Sequence, residues 1–163
     1  MKLVYQQAYR IRGFRPNDLT AVIEINRLCL PENYTPGFFV DIYKNCPEAF
    51  LVAEVNGFIT GYCMARIEFG FSEFNRIKMV KKGHLVSVAV LEPYRRLGIA
   101  SSLLRQALSA LYSRGVRECF LEVRETNTPG IFLYRKLGFE IARTIPQYYH
   151  DGADALLMAK VLA

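Results

Sequence analysis

The sequence contains no CxxC pair, and none of its four cysteines, Cys29, Cys46, Cys63 and Cys119, has a histidine at metal-ligand spacing. That excludes a zinc or disulfide framework and leaves four buried, reduced thiols, with no metal expected. No apolar run approaches the ~18 residues that a membrane-spanning helix needs. Met1 to Phe14 alternates apolar and polar residues without an h-region, so no signal peptide is expected. No Lys/Arg-rich tail is present, which argues against a dedicated nucleic-acid arm. Internal repeats, linkers and low-complexity stretches are missing as well. The expectation is one domain, residues 1–163, in a cytoplasmic protein without membrane attachment.

What is present suits a packed core. Hydrophobic residues make up 52% of the 163 residues, charged residues 22% and aromatics 13%, which argues against disorder. Lys+Arg 21 against Asp+Glu 15 leaves a net charge of +6 and a pI near 9.2, favouring an anionic partner such as a phosphorylated cofactor, nucleic acid or acidic peptide.

Punctuation residues divide the chain. Tyr9–Phe14 reads as a strand, and Pro16 suits a first helical position before Leu19, Val22, Ile23 and Asn26 at helical spacing, with Pro31 as the stop. Thr35-Pro36 signals a second helix carrying Phe39, Val40 and Tyr43 on one face, ended by Pro47. Residues 49–55 and 58–69 read as a hairpin around Asn56-Gly57. A loop is expected over 70–82, followed by His84–Leu91, apolar on both faces as in a central strand. A helix from Gly98 to about Arg114 carries a stripe of Ala100, Leu103, Leu104, Ala107, Leu108 and Leu111, with Gly115 closing it. Arg117–Arg124 reads as a strand and Pro129–Leu137 as a short helix capped by Thr128 and stopped by Gly138. Phe139–Thr144 and Ala153–Val161 are two closing strands. Strands outnumber helices and alternate with them only in the middle, which predicts a mixed sheet with helices on both faces.

The loop Arg95-Arg96-Leu97-Gly98-Ile99-Ala100-Ser101 joins a buried strand to an amphipathic helix. A helix start carries unpaired N–H groups and a partial positive charge. Small residues at 98 and 100 let a phosphate approach the backbone, and arginine forks suit phosphate, so a pyrophosphate is the expected ligand. An ordinary strand–helix connection with solvated arginines is the plainer reading. The pattern is neither GxGxxG nor GxxxxGK[ST].

The stretch Val88-Ala89-Val90-Leu91-Glu92-Pro93-Tyr94-Arg95-Arg96-Leu97-Gly98-Ile99-Ala100 resembles the acetyl-CoA signature of the GNAT N-acetyltransferases, in which (Arg/Gln)-x-x-Gly-x-(Gly/Ala) follows the fourth strand. Asn127 followed seven residues later by Tyr134 resembles a second element of that family. Leu30-Pro31-Glu32-Asn33-Tyr34, Lys82-Gly83-His84 and Tyr148-Tyr149-His150-Asp151-Gly152 resemble the archaeal protein N-terminal acetyltransferases within it. The resemblance implies a GNAT fold, α/β with a mixed, mostly antiparallel seven-stranded sheet, using acetyl-CoA to acetylate the α-amine of protein N-termini. It also implies a monomer or weak dimer working near the ribosome. Ala153 and Leu156 depart from the acidic residue and tyrosine usual in those relatives, and Gly130 replaces a usual alanine.

The same resemblance assigns roles. Val88, Ala89 and Val90 would present backbone groups to the acetyl-pantetheine, residues 95–101 and Lys136 would serve the cofactor, and Asn127 would bond the pantetheine arm. Glu122, between apolar neighbours, would be the base through a water, although pairing with Arg124 or Arg117 on a solvated face fits the residues as well. His84 would share that relay or be purely structural. Tyr134 would protonate the leaving thiolate or simply pack beside Leu133 and Leu137. Asn127 could equally be a cap before Thr128. Glu32, Tyr34, Tyr148 and Tyr149 would line the peptide N-terminus. An acetyltransferase of small amines (a polyamine, amino sugar or amino acid) would use the same cofactor loop. A non-catalytic CoA-sensing or nucleic-acid-binding domain is the reading from a different class.

Overall fold

The computed structural model describes residues 8–163. Of the alternation read over Met1–Phe14, the part up to residue 7 lies outside the described residues.

Chain order is β1 (Arg10–Gly13), α1 (Leu19–Cys29), α2 (Pro36–Asn45), β2 (Phe50–Val55), β3 (Phe58–Phe71), β4 (Met79–Val90), α3 (Ile99–Ser113), β5 (Glu118–Arg124), α4 (Thr128–Lys136), β6 (Glu140–Ile145) and β7 (Ala155–Val161), with single 3-10 turns at Pro16–Asp18, Pro47–Ala49 and Glu92–Tyr94. The strands form one sheet in the order β1-β2-β3-β4-β5-β7-β6. Pairs β1–β2, β2–β3, β5–β7 and β6–β7 are antiparallel, whereas β4–β5 is parallel. The fold is therefore the mixed, mostly antiparallel seven-stranded sheet with four α-helices.

The described residues pack as two compact units, one of residues 8–65 and 87–107, the other of 66–86 and 108–163. In the first, Val22, Phe39, Phe50, Val52, Tyr62, Met64, Leu103 and Leu104 are fully buried. Phe14 stacks on Phe50 at 4.0 Å between ring centroids, and Phe39 meets Tyr62 edge-on at 6.3 Å. In the second, Phe120, Leu157 and Ala159 form a cluster with Ile145 packed against it.

Local signals set most boundaries. Thr35 caps α2, its Oγ1 accepting from Phe38 N at 3.3 Å, and Pro36 occupies the first helical position. Asn56 (φ 50°) and Gly57 (φ 81°) both take positive φ, the geometry that a two-residue hairpin of the right twist demands. After α3, Gly115 N bonds Tyr112 O and Val116 N bonds Leu111 O, a Schellman closure.

Three readings need correction. The expected loop over 70–82 is only residues 72–78, because β3 runs to Phe71 and β4 starts at Met79. Gly70 does not end the strand, because β3 continues through it to Phe71. His84 consequently sits inside β4 instead of opening it. The cap of α4 is Asn127, whose Oδ1 accepts from Gly130 N at 3.0 Å, and Thr128 is the first helical residue. Cys29 is only part-buried, near the C-terminal end of α1, with its thiol 3.7 Å from Val90 O. Cys46, Cys63 and Cys119 are buried as expected, and burial pushes the Cys63 and Cys119 thiols up to about 12, which keeps them protonated and unreactive.

Candidate functional site

Within the first unit, the turn from β4 into α3 is tightly folded. Arg96 (φ 64°) and Gly98 (φ 84°) both occupy the left-handed region. For Arg96 that conformation costs roughly 1–2 kcal/mol, whereas Gly98 adopts it freely. Ile99 is buried and anchors the first turn, leaving Arg95, Arg96 and Gly98 at the surface. The first-turn amides of Ile99, Ala100 and Ser101 have no intrahelical carbonyl to bond. A fifteen-residue helix thus begins with bare main-chain N–H groups beside two guanidinium-bearing residues. A diphosphate fits this arrangement.

Two details of that turn escape a reading of the sequence. The Tyr9 hydroxyl donates to Gly98 O at 3.3 Å and lies 2.7 Å from Ser102 Oγ, pinning the helix start from β1's side of the chain, 89 residues earlier. No motif marks Tyr9. Arg95 Nε donates to Val90 O at 2.8 Å, so this side chain closes the turn on the end of β4 as well as carrying charge. The Val90 carbonyl is thereby engaged, while Val88 is half-buried and Ala89 buried.

The same unit holds the segment between α1 and α2 that contains Glu32 and Tyr34. Asn26, buried on α1, is its hub. Its Nδ2 donates to Glu32 O at 3.1 Å and to the Tyr62 hydroxyl at 3.2 Å, while its Oδ1 accepts from Tyr34 N at 3.3 Å. Tyr62 in turn lies 2.6 Å from Ser87 Oγ on β4, and burial holds its phenol above the ordinary tyrosine range. A buried asparagine in an apolar stripe is the only sequence signal for this hub. Tyr34 also stacks on Phe38, 4.6 Å between centroids.

The second unit holds the titratable residues. The parallel register of β4 and β5 sets Lys82 opposite Glu118, Gly83 opposite Cys119 and His84 opposite Phe120. His84 Nε2 lies 2.7 Å from Glu122 Oε2, with side-chain exposures of only 12% and 15%, low enough for a strong charge-assisted contact. The ring stacks on Phe120 at 4.4 Å and 13°. His84 Nδ1 is buried without a hydrogen-bond partner and lies 3.6 Å from Glu68 Oε2. Of the two arginines weighed as partners of Glu122, Arg124 bonds Asp151 at 2.8 Å and Arg117 bonds the Tyr112 and Val116 carbonyls.

On α4, Tyr134 is half-buried and meets Phe139 edge-on at 6.3 Å; Lys136 is exposed, its ammonium 5.5 Å from the Phe132 centroid. Gly130 now has a reason. A Cβ there would come within 2.7 Å of Asn127 Nδ2, so glycine lets the cap fold over the helix start. Between β6 and β7, Tyr148 and Tyr149 meet edge-on at 4.9 Å. Tyr149 lies under the Arg124 guanidinium at 4.2 Å, while Tyr148 stays exposed.

Among the described residues no helix is long and apolar enough to cross a membrane, and no group of three or more His, Cys, Asp or Glu could hold a metal ion.

Residues 19–139 match the model of the acetyltransferase (GNAT) family. The chain is 51% identical over 156 residues to the N-alpha-acetyltransferase of Sulfurisphaera tokodaii, covering 94% of this chain and 93% of that protein. Among solved structures it is similar to Ard1 from Thermoplasma volcanium, with a TM-score of 0.83, 31% identity and coverage of 96% of this chain and 99% of that one. It is also similar to Arabidopsis thaliana Naa50 in complex with the bisubstrate analogue CoA-Ac-MVNAL, with a TM-score of 0.80, 27% identity and coverage of 93% and 97%.

Proposed function

The chain belongs to the acetyltransferase (GNAT) family and takes its acetyl group from acetyl-CoA, and we propose that the acceptor is the free α-amine of a protein N-terminus. The observation that carries this reading is the half-buried His84–Glu122 contact of 2.7 Å. An amine attacks a thioester only as the free base. An α-amine titrates near ~7.7–8.0 and a lysine ammonium near ~10.4, so the α-amine needs only a modest acceptor. A carboxylate coupled to an imidazole is one. The similarity to an N-alpha-acetyltransferase and to Naa50 in complex with CoA-Ac-MVNAL supports the same acceptor.

Acetyl-CoA supplies an activated acetyl thioester. Main-chain N–H groups of residues 96–101 hold its diphosphate, with Arg95 and Arg96 adding charge and Lys136 a further cation. The amides of Val88–Val90 face the acyl end; the Val90 carbonyl is already engaged, which leaves N–H groups as the natural contribution there. Asn127 Oδ1 is committed to its cap, so its Nδ2 is the group left for the pantetheine arm. Glu122 and His84 take the amine proton through one water, and Tyr134 gives a proton to the departing sulfur. A thiol near ~8.5 leaves readily, so positioning is most of what Tyr134 must provide. Glu32 and Tyr34, on the segment held by Asn26, and Tyr148 with Tyr149 line the incoming N-terminus.

The whole chain acts as one acetyltransferase domain. Each compact unit draws on two separate stretches, so neither is a contiguous module. Free cysteines support a cytoplasmic setting, and a net charge of +6 suits work near a phosphate-rich surface such as the ribosome. All named groups come from this one chain, in keeping with a monomer or weak dimer.

Incubation with acetyl-CoA and an N-terminal peptide library, read by mass spectrometry beside polyamines, amino sugars and free amino acids, tests the acceptor. Acetylation confined to peptide α-amines is expected. CoA release with the small amines alone would replace this reading by the small-molecule one.

A further inference from the structure

Asn26 is 1% exposed and Tyr62 0%, so the polar atoms they bring into the interior need partners there. They find one another and two main-chain groups. Asn26 Nδ2 donates to Glu32 O at 3.1 Å, and its Oδ1 accepts from Tyr34 N at 3.3 Å. A carbonyl only accepts and an amide N–H only donates, so this pair fixes which way the Asn26 carboxamide points. Its second N–H goes to the Tyr62 oxygen at 3.2 Å. Burial raises the Tyr62 pKa and keeps the phenol protonated. With its oxygen accepting from Asn26, the Tyr62 hydrogen is left for Ser87 Oγ at 2.6 Å.

The two ends of this chain of bonds have different uses. One end is the segment between α1 and α2 with Glu32 and Tyr34, proposed above to line the peptide N-terminus. The other is Ser87 on β4, immediately before Val88–Val90, proposed above to meet the acyl end of acetyl-CoA. All of it lies within the first unit. β3, which carries Tyr62, runs close to that part of β4: a Cβ on Gly61 would come within 3.0 Å of Ala89 O and 3.1 Å of Val90 Cγ2. Leu30 N, at the end of α1, bonds the Asn26 main-chain carbonyl at 3.0 Å, so one asparagine sets both the helix end and the segment after it. Packing alone would be served by phenylalanine at 62, since the Tyr62 ring meets Phe39 and Phe50 at 6.3 and 6.5 Å between centroids. The hydroxyl adds only the bridge.

We propose that Asn26, Tyr62 and Ser87 are positioning residues for acetyl transfer, a buried bridge that holds the acceptor segment in register with the strand presenting the thioester. The inference rests on the proposed placing of the acceptor at Glu32 and Tyr34 and of the acyl group at Val88–Val90. The three residues act through what they hold, not on the reacting atoms. Attack needs the amine nitrogen and the acyl carbon about 3–3.5 Å apart and aligned, and the bridge fixes one side of that geometry against the other. Removing the phenol oxygen leaves both Asn26 bonds to the segment in place but unties the segment from β4, so alignment suffers and binding does not. Removing the Asn26 carboxamide releases the segment itself.

Steady-state kinetics with acetyl-CoA and a short peptide bearing a free alanine N-terminus separate these effects. Tyr62→Phe and Ser87→Ala are each expected to lower kcat roughly 10-fold with both KM values unchanged. The double variant should lose no more than either single one, because the same bridge is broken once. Ser87→Thr keeps the hydroxyl and should retain full kcat. Asn26→Ala should raise the peptide KM as well, while calorimetry finds acetyl-CoA affinity unaltered. Undiminished kcat in Tyr62→Phe and Ser87→Ala would overturn the bridge, as would losses that multiply in the double variant or an unmoved peptide KM in Asn26→Ala. A Ser87→Thr variant as slow as Ser87→Ala, or a raised acetyl-CoA KM with a lowered melting temperature, would show a packing role and overturn it equally. Glu32→Ala separates the inference from its premise. An unchanged peptide KM there removes the acceptor segment from the site and the inference with it, whereas a raised KM there with a silent Tyr62→Phe removes only the bridge.

Discussion

The start of α3 and the neighbouring strands β4 and β5, each proposed above to serve acetyl transfer, are made from different materials. Residues 95–101 offer main-chain amides, shaped by positive φ at Arg96 and Gly98, and the side chains matter chiefly by being small or out of the way. At β4 and β5 the backbone only sets register, and two particular side chains, His84 and Glu122, meet at 2.7 Å. The first arrangement suits a ligand with a fixed charge that must be gripped. The second suits a proton that must move. A binding region made of backbone tolerates many sequences but not an added Cβ, whereas a proton-transfer region tolerates repacking but not a lost functional group.

The sharpest way to break this contrast is on the side-chain half. Glu122→Gln keeps the shape and a hydrogen bond to His84 but cannot take a proton. Its kcat should fall about 10²–10⁴-fold, while calorimetry should find acetyl-CoA binding unaltered; an affinity loss that matched the rate loss would erase the division of labour. Next comes the backbone half. Gly98→Glu places a side chain at φ 84° and a negative charge where a diphosphate belongs, so acetyl-CoA should bind at least ~100-fold more weakly. Retained affinity would mean that the diphosphate sits elsewhere. The smallest effect sharpens the contrast without breaking it. Arg96→Gly removes a guanidinium but relieves a strained φ of 64°, and affinity should fall only about threefold, or ~0.7 kcal/mol, with a weaker salt dependence. A loss as large as that of Gly98→Glu would make the arginine, not the amides, the principal grip.

What could be read in the sequence divides along the same line. Asn56-Gly57, Thr35-Pro36 and Gly98 act within a few residues, and each stands where its local chemistry puts it. The order of strands and helices follows from such signals. Glu122 and His84 were both legible as candidates, since their residue types and apolar neighbours announce partial burial. Their contact was not, because it depends on a parallel register between segments 38 residues apart. Tyr9 on the α3 turn, Asn26 under Glu32 and Tyr34, and Glu68 behind His84 were hidden for the same reason: tertiary reach leaves no spacing to detect. The cap of α4 was misplaced by one residue because Asn127 and Thr128 are both good caps, and only Gly130, by giving the asparagine room, decides between them.

The sheet order has a temporal consequence. β5 lies between β4 and β7, and Glu122 is paired with Leu157, so the strand that carries Glu122 gains its second neighbour from a strand made only after α4 and β6. A nascent chain that has extruded His84 and Glu122 but not Ala155–Val161 still lacks that neighbour. A polypeptide interrupted before residue 155 is expected to leave the His84–Glu122 contact without that neighbour although the start of α3 has already been made.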